Sequence, residues 1–120
     1  MAFSTTARVR TESGFDGNSN VADATIAEYL DQANGVVLSY VGARYRITAL
    51  SGTLFTGSQG EKFLKRVEEL LASGYLLIKE YGADALDSDK DGYKKVNEAE
   101  ELLTQIMEGK IRLSIVTGKP

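Results

Sequence analysis

Residues 23–46, DATIAEYLDQANGVVLSYVGARYR, decide the fold class. Ile26, Tyr29, Leu30, Ala33, Val37, Tyr40 and Val41 recur at spacings of three and four, which places them on one stripe of a helix running from Asp23 to Arg46. Such a stripe must be buried. Later segments carry stripes of their own, so the simplest fold is a small all-α bundle with this helix as its axis. Gly35 and Gly42 fall inside it, and a helix-interior glycine costs about 1 kcal/mol relative to alanine. Either another helix or subunit approaches closely at these points, or the helix bends or tolerates the cost. Its last turn ends in Arg44, Tyr45 and Arg46, a cluster expected to be exposed.

On the N-terminal side, FSTTARVRTESGF offers Ser4 and Thr5 as N-caps and Gly14 as a stop, which predicts a helix of about two turns, anchored by Phe3 and Phe15. The polar DGNSN of residues 16–20 then delivers the chain to the long helix. On the C-terminal side, ITALSGTLFTGSQG (47–60) is punctuated by glycine and rich in β-branched residues. It reads either as a small hairpin at 46–57, turning at Ser51 and Gly52, or as an irregular loop.

Ser58 and Glu61 form the S-x-x-E capping box, so a second long helix begins there and stops at Gly82. Its apolar stripe is Phe63, Leu64, Val67, Leu70, Leu71, Tyr75, Ile78 and Tyr81. Lys62, Lys65, Arg66, Glu68 and Glu69 are assigned to a solvated face, and Gly74 adds to the expectation of close helix crossings. A third long helix runs from Tyr93 to Glu108, with Val96, Ala99, Leu102, Leu103, Ile106 and Met107 inward and Gly109 as its stop. Beyond it Ile111, Leu113 and Ile115 alternate with Arg112 and Ser114, the period of a half-buried strand with no obvious partner strand in the chain. Such a tail either adds to a neighbouring subunit or folds back on its own bundle. The expected architecture is three long helices plus a short N-terminal helix in a domain spanning 1–109, with an extended or strand-like tail at 110–120.

Composition narrows the function classes. A chain of 120 residues, 42% hydrophobic, fits one compact domain. With 14 basic and 17 acidic side chains the formal charge is −3, the wrong sign for a surface that grips nucleic acid. No cysteine or histidine is present, which removes disulfides, thiol nucleophiles, imidazole bases and Cys/His metal sites. No run reaches the roughly 20 apolar residues of a membrane span, and the N-terminus lacks a signal-peptide core, so synthesis in the cytoplasm and no membrane association are expected.

One loop carries metal-like chemistry. Asp87, Asp89, Asp91, Gly92 and Glu98 satisfy D-x-D-x-D-G-x5-E, the short calcium-loop pattern, in which alternating carboxylates converge on a hard cation. Tyr93 would add its backbone carbonyl. Lys94, two positions after the glycine, stands where such loops usually carry an aliphatic residue, and no second loop is present to pair with it. The competing reading makes Asp91 the N-cap of the third long helix, favoured by the helix dipole. A calcium-binding interaction module is thus the alternative function. An enzyme has less support, because the carboxylates crowd one loop and no nucleophile or phosphate cradle accompanies them.

FSTTARVRTESGF, the glycine-bearing loop after it, DATIAEYLDQA followed by SYVGARYRI, and the closing AEELLTQIMEGKIRL occur in an order that resembles the head-tail connector, or head completion adaptor, proteins of tailed bacteriophages. The resemblance covers about two thirds of the chain. Family members often carry a proline after the Arg-Tyr pair, where this chain has Ile47, Thr48 and Ala49, and the acidic loop is not a trait of the family. The resemblance implies a non-enzymatic virion protein without a cofactor, made in the host cytoplasm. It implies a homo-oligomeric ring, commonly a dodecamer, beneath the portal protein, meeting a tail-proximal connector, stopper or tail terminator protein. DNA would pass through its channel without sequence-specific binding, and a mildly acidic conduit suits that passage because basic linings hold DNA by counterion release. The expected contact residues are Arg44, Tyr45 and Arg46 together with Ile111, Arg112, Leu113, Ile115 and Val116.

Overall fold

The computed structural model describes residues 3–15, 21–45, 58–82 and 91–111. They form four helices: α1 (Thr6–Ser13), α2 (Asp23–Val41), α3 (Gln59–Tyr81) and α4 (Gly92–Met107), with no strand among the described residues. The all-α expectation of one short and three long helices holds. The hairpin at 46–57 and the tail beyond Ile111 lie outside the described residues.

Local chemistry sets the ends of these helices. The Thr5 side chain accepts from the Arg8 N–H to cap α1, Ser58 does the same for the Glu61 N–H on α3, and Asp91 for the Lys94 N–H on α4. Gly14 closes α1 in the left-handed conformation at φ 83°, a backbone state that costs other residues more. α2 departs from expectation at its end. It stops at Val41, and Gly42 is its right-handed C-cap at φ −64°, so this glycine is not in the helix interior. Hydrogen bonds from Ala43 to Tyr40 and from Arg44 to Val41 then tighten the chain into turns, leaving 42–45 outside the helix.

The organising element is α3 and not α2, which corrects the sequence expectation. Its middle, from Val67 to Leu77, is buried at every position but Tyr75, and it contacts each of the other three helices. Glu68 and Glu69, assigned to a solvated face, are buried inside it. An amphipathic stripe reports one buried face, whereas α3 is covered on several. Its neighbours run in fixed directions. Tyr29 meets Tyr75 while Asn34 meets Glu68, so α2 is antiparallel to α3. Ser4 meets Glu68 and Phe15 stacks on Tyr81, so the two flanks of α1 are both held to α3.

α4 packs antiparallel on α3 through glycines. A methyl on Gly74 would lie 2.7 Å from Val96 Cγ2 and 2.9 Å from the Gly92 carbonyl, and a methyl on Gly92 would strike the Gly74 carbonyl. The close-crossing reading therefore holds at Gly74. At Gly35 nothing among the described residues lies within 4 Å of an added methyl, so no helix of this chain crosses closely there. Ala99, Leu103 and Ile106 complete the α4 side of the core, while Met107, expected inward, is 39% exposed.

Candidate functional site

Arg44, one of the residues expected to make contacts outside the chain, lies at the pole where α2 and α4 end. Arg44 lies with its guanidinium across the Gly109 backbone; a methyl at 109 would come within 2.6 Å of Arg44 Cζ. Gly109 itself sits at φ 83°, so the stop after α4 and the seat for Arg44 are the same residue. Ile111 is tied back by a hydrogen bond from its N–H to the Gln105 carbonyl and packs against the core. Tyr45, expected to be exposed, is buried at 6% exposure, because α2 has already ended and the turn carries its ring inward. Of the expected contact residues, Arg44 is exposed at this pole, Tyr45 and Ile111 serve the core, and Arg46, Arg112, Leu113, Ile115 and Val116 lie outside the described residues.

The acidic loop is divided in the same way. Asp87 and Asp89 lie outside the described residues. Asp91 is buried and its Oδ1 accepts from the Lys94 N–H at 3.1 Å, the geometry of a helix cap. Tyr93 and Glu98 are exposed on α4. Among the described residues no group of acidic side chains is placed to hold a metal ion.

A polar cluster that sequence reasoning missed lies where the N-terminal segment crosses α2 and α3. Glu68 is fully buried. Its Oε1 accepts from the Ser4 N–H at 2.8 Å, its Oε2 from Asn34 Nδ2 at 3.0 Å, and the Phe3 N–H donates to it as well. No side-chain cation pairs with it among the described residues. Burial pushes its carboxyl above the ordinary value, against the opposing hydrogen bonds. The neighbouring Ser4 hydroxyl is buried with no hydrogen-bond partner among the described residues. A signal existed in the sequence: Glu68 stands four residues after Leu64 and three before Leu71, inside the apolar stripe.

A second cluster binds α1 to α3 and α4. Glu12 accepts from Arg66 at 2.7 Å and from Lys95 at 2.9 Å. Desolvation pushes its carboxyl up, but the hydrogen bonds and charges of the two cations together outweigh it and hold the carboxyl below the ordinary range. Arg8 meets Glu69 at 3.5 Å, and Arg10 bridges Asp23 at 2.6 Å and the Val21 carbonyl. All of these contacts tie one helix to another except that to Val21, which lies just before α2.

No family model, curated protein or solved structure matches the chain.

Proposed function

We infer that the chain is a structural adaptor of the head-tail connector type: a non-enzymatic subunit that assembles as a ring between a portal protein and a tail-proximal connector, stopper or tail terminator protein, in the virion. The observation that carries this reading is the placement of the segments that resemble the family. FSTTARVRTESGF falls on α1 and its flanks, DATIAEYLDQA and SYVGAR on α2 and the turn after it, and AEELLTQIMEGKI on α4 and its stop. The ends of the last two meet through Arg44 and Gly109 at one pole of the bundle. Single-domain helical protomers can close into rings through head-to-tail interfaces.

Mass measurement and electron microscopy of the protein, alone and mixed with a portal protein, test the reading. Rings, or a stoichiometric complex with portal, are expected. A protein that remains monomeric and ignores portal would overturn it. Truncation after Ile111 keeps every described contact and tests the tail: loss of assembly with unchanged helicity is expected, and unchanged assembly removes Arg112 to Val116 from the interface.

A further inference from the structure

We propose that Asn34 is a self-modification site gated by α2: the Asn34–Gly35 pair converts to aspartate or isoaspartate when α2 opens, and the new carboxylate, facing buried Glu68, keeps the helix from closing again. An asparagine followed by glycine is the dipeptide best suited to cyclise, because no side chain hinders the glycine nitrogen and its backbone turns freely. Asn34 is the one asparagine in the chain that precedes a glycine; Asn18, Asn20 and Asn97 precede Ser19, Val21 and Glu98. The reaction needs water alone. The Gly35 nitrogen bonds to Asn34 Cγ, the Cγ–Nδ2 bond breaks, and the side-chain nitrogen takes up the Gly35 amide proton and leaves as ammonia. Water then opens the cyclic imide at either carbonyl. One opening gives aspartate, and the other gives isoaspartate, in which the main chain runs through the former side chain and is longer by a methylene.

The folded chain keeps the two reacting groups apart. In α2 the Gly35 N–H belongs to the helix ladder, and helical backbone angles hold its nitrogen away from the Asn34 side chain. That side chain is fixed in turn: Asn34 is 4% exposed, and its Nδ2 donates to Glu68 Oε2 at 3.0 Å. Cyclisation therefore requires local opening of α2, and where opening and closing are fast its rate follows the population of the open form. Gly35 favours that opening. It is exposed, nothing among the described residues lies within 4 Å of an added methyl, and glycine there weakens the helix by about 1 kcal/mol relative to alanine.

Closing after conversion meets a different chemistry. The group facing Glu68 Oε2 changes from an amide donor to a carboxylate, which only accepts. Glu68 is fully buried with no side-chain cation among the described residues, so two carboxylates would share one dry crossing of α2 and α3. The cations of α1 and of its contacts are engaged elsewhere: Arg8 with Glu69, Arg10 with Asp23, Arg66 and Lys95 with Glu12. Isoaspartate, with its longer main chain, also breaks the ladder in the middle of α2. Folding thus protects Asn34, and the pair records the time that a chain spends open.

Peptide mapping by mass spectrometry of the full chain at neutral pH, folded and in denaturant, reads the gate. In denaturant Asn34 should convert faster than Asn18, Asn20 and Asn97, and in the folded chain it should convert slower by about tenfold or more. Gly35→Ala should slow the conversion in denaturant several-fold. Asn34→Asp stands for the product, and its denaturation midpoint at neutral pH should fall below that of Asn34→Ala, which loses the donor without adding charge. Combining Asn34→Asp with Glu68→Gln exchanges donor and acceptor: the glutamine oxygen keeps the Ser4 N–H, and its nitrogen replaces Oε2 and donates to the new carboxylate. That double variant should recover most of the loss. Equal rates in the folded chain and in denaturant, an Asn34 no faster than the other asparagines in denaturant, a Gly35→Ala chain that converts at the natural rate, an Asn34→Asp midpoint at or above that of Asn34→Ala, or no recovery in the double variant would each overturn the proposal.

Discussion

The two sides of α3 hold their neighbours by opposite means. Toward α4 the contact is dry and close, backbone against backbone at Gly74 and Gly92, with Ala99, Leu103 and Ile106 behind. Toward α1 and the N-terminal segment, carboxylates join the apolar contacts of Phe3, Val9 and Phe15: Glu68 on backbone N–H groups, Glu69 on Arg8, and Arg66 reaching Glu12. The first seam is fixed by shape and should be indifferent to pH. The second depends on the charge of its members. A bundle built this way has one joint that tolerates no added volume and one that responds to solution conditions.

The largest expected effect breaks the dry seam. Gly92→Ala places a methyl against the Gly74 carbonyl and 2.8 Å from the Ile78 backbone nitrogen, and backbone atoms in the middle of a helix have nowhere to move. Overpacking of this kind costs about 3 kcal/mol at its upper range. Chemical denaturation should show a midpoint far below that of the natural chain, with the loss undiminished across pH. An unchanged midpoint would mean that the seam is looser than its geometry.

The ionic seam breaks more gently and with a pH signature. Glu12→Ala removes the shared acceptor of Arg66 and Lys95, and because both cations retain some exposure the loss should be about 1 kcal/mol near neutral pH. The folded-state carboxyl of Glu12 is held below 4.5, so its contribution is present above that value and is lost as pH falls through the folded value. The difference between variant and natural chain should therefore shrink in acid. Glu68 has the opposite sign, since a raised carboxyl stabilises most below 4.5 and loses its contribution as pH rises toward the folded value. A loss on Glu12→Ala that is constant from acid to neutral pH would show that its charge is irrelevant to the seam.

These two seams also mark what could be read from the sequence. Helix existence and ends were legible at Thr5, Gly14, Ser58, Gly82, Asp91 and Gly109, because a cap or stop depends on residues within one turn. Which helix is central was not, because a stripe reports that a face is buried and not how many neighbours bury it. Leu76 and Leu77 lie outside the α3 stripe read from its spacing, yet both are fully buried. Glu68 was misread by assigning its position from its charge when its spacing from Leu64 and Leu71 placed it inside. At the candidate contact pole Arg44 was singled out through resemblance, but its seat on Gly109 joins residues remote in sequence and leaves no local signal.

Glycines away from the dry seam supply the control for it. Gly35 lies on the exposed side of α2 with open space where a methyl would go, so Gly35→Ala should raise stability by about 0.5 to 1 kcal/mol through helix propensity alone. The same substitution thus has opposite signs at Gly35 and Gly92. A drop in the denaturation midpoint of Gly35→Ala would place a contact on that face that the isolated chain does not make, and comparing monomer with assembled protein would locate it.

The smallest expected effect asks whether the dry seam uses charge at all. Asp91 enters α4 immediately before Gly92, and its observed bond is that of a cap, with Oδ1 accepting from the Lys94 N–H. An asparagine oxygen accepts the same bond, so Asp91→Asn should change stability by about 0.5 kcal/mol or less, the remainder being the weak attraction of a carboxylate to the helix dipole. Asp91→Ala, which removes the acceptor, should cost about 1 kcal/mol. Denaturation midpoints of the two variants, measured with and without millimolar calcium, separate a cap from a ligand. If the cap is the whole role, alanine is worse than asparagine and calcium moves neither the variants nor the natural chain. If calcium stabilises the natural chain and Asp91→Asn abolishes that gain, the carboxylate acts through its charge, and the seam indifferent to pH would carry a metal-sensitive entrance.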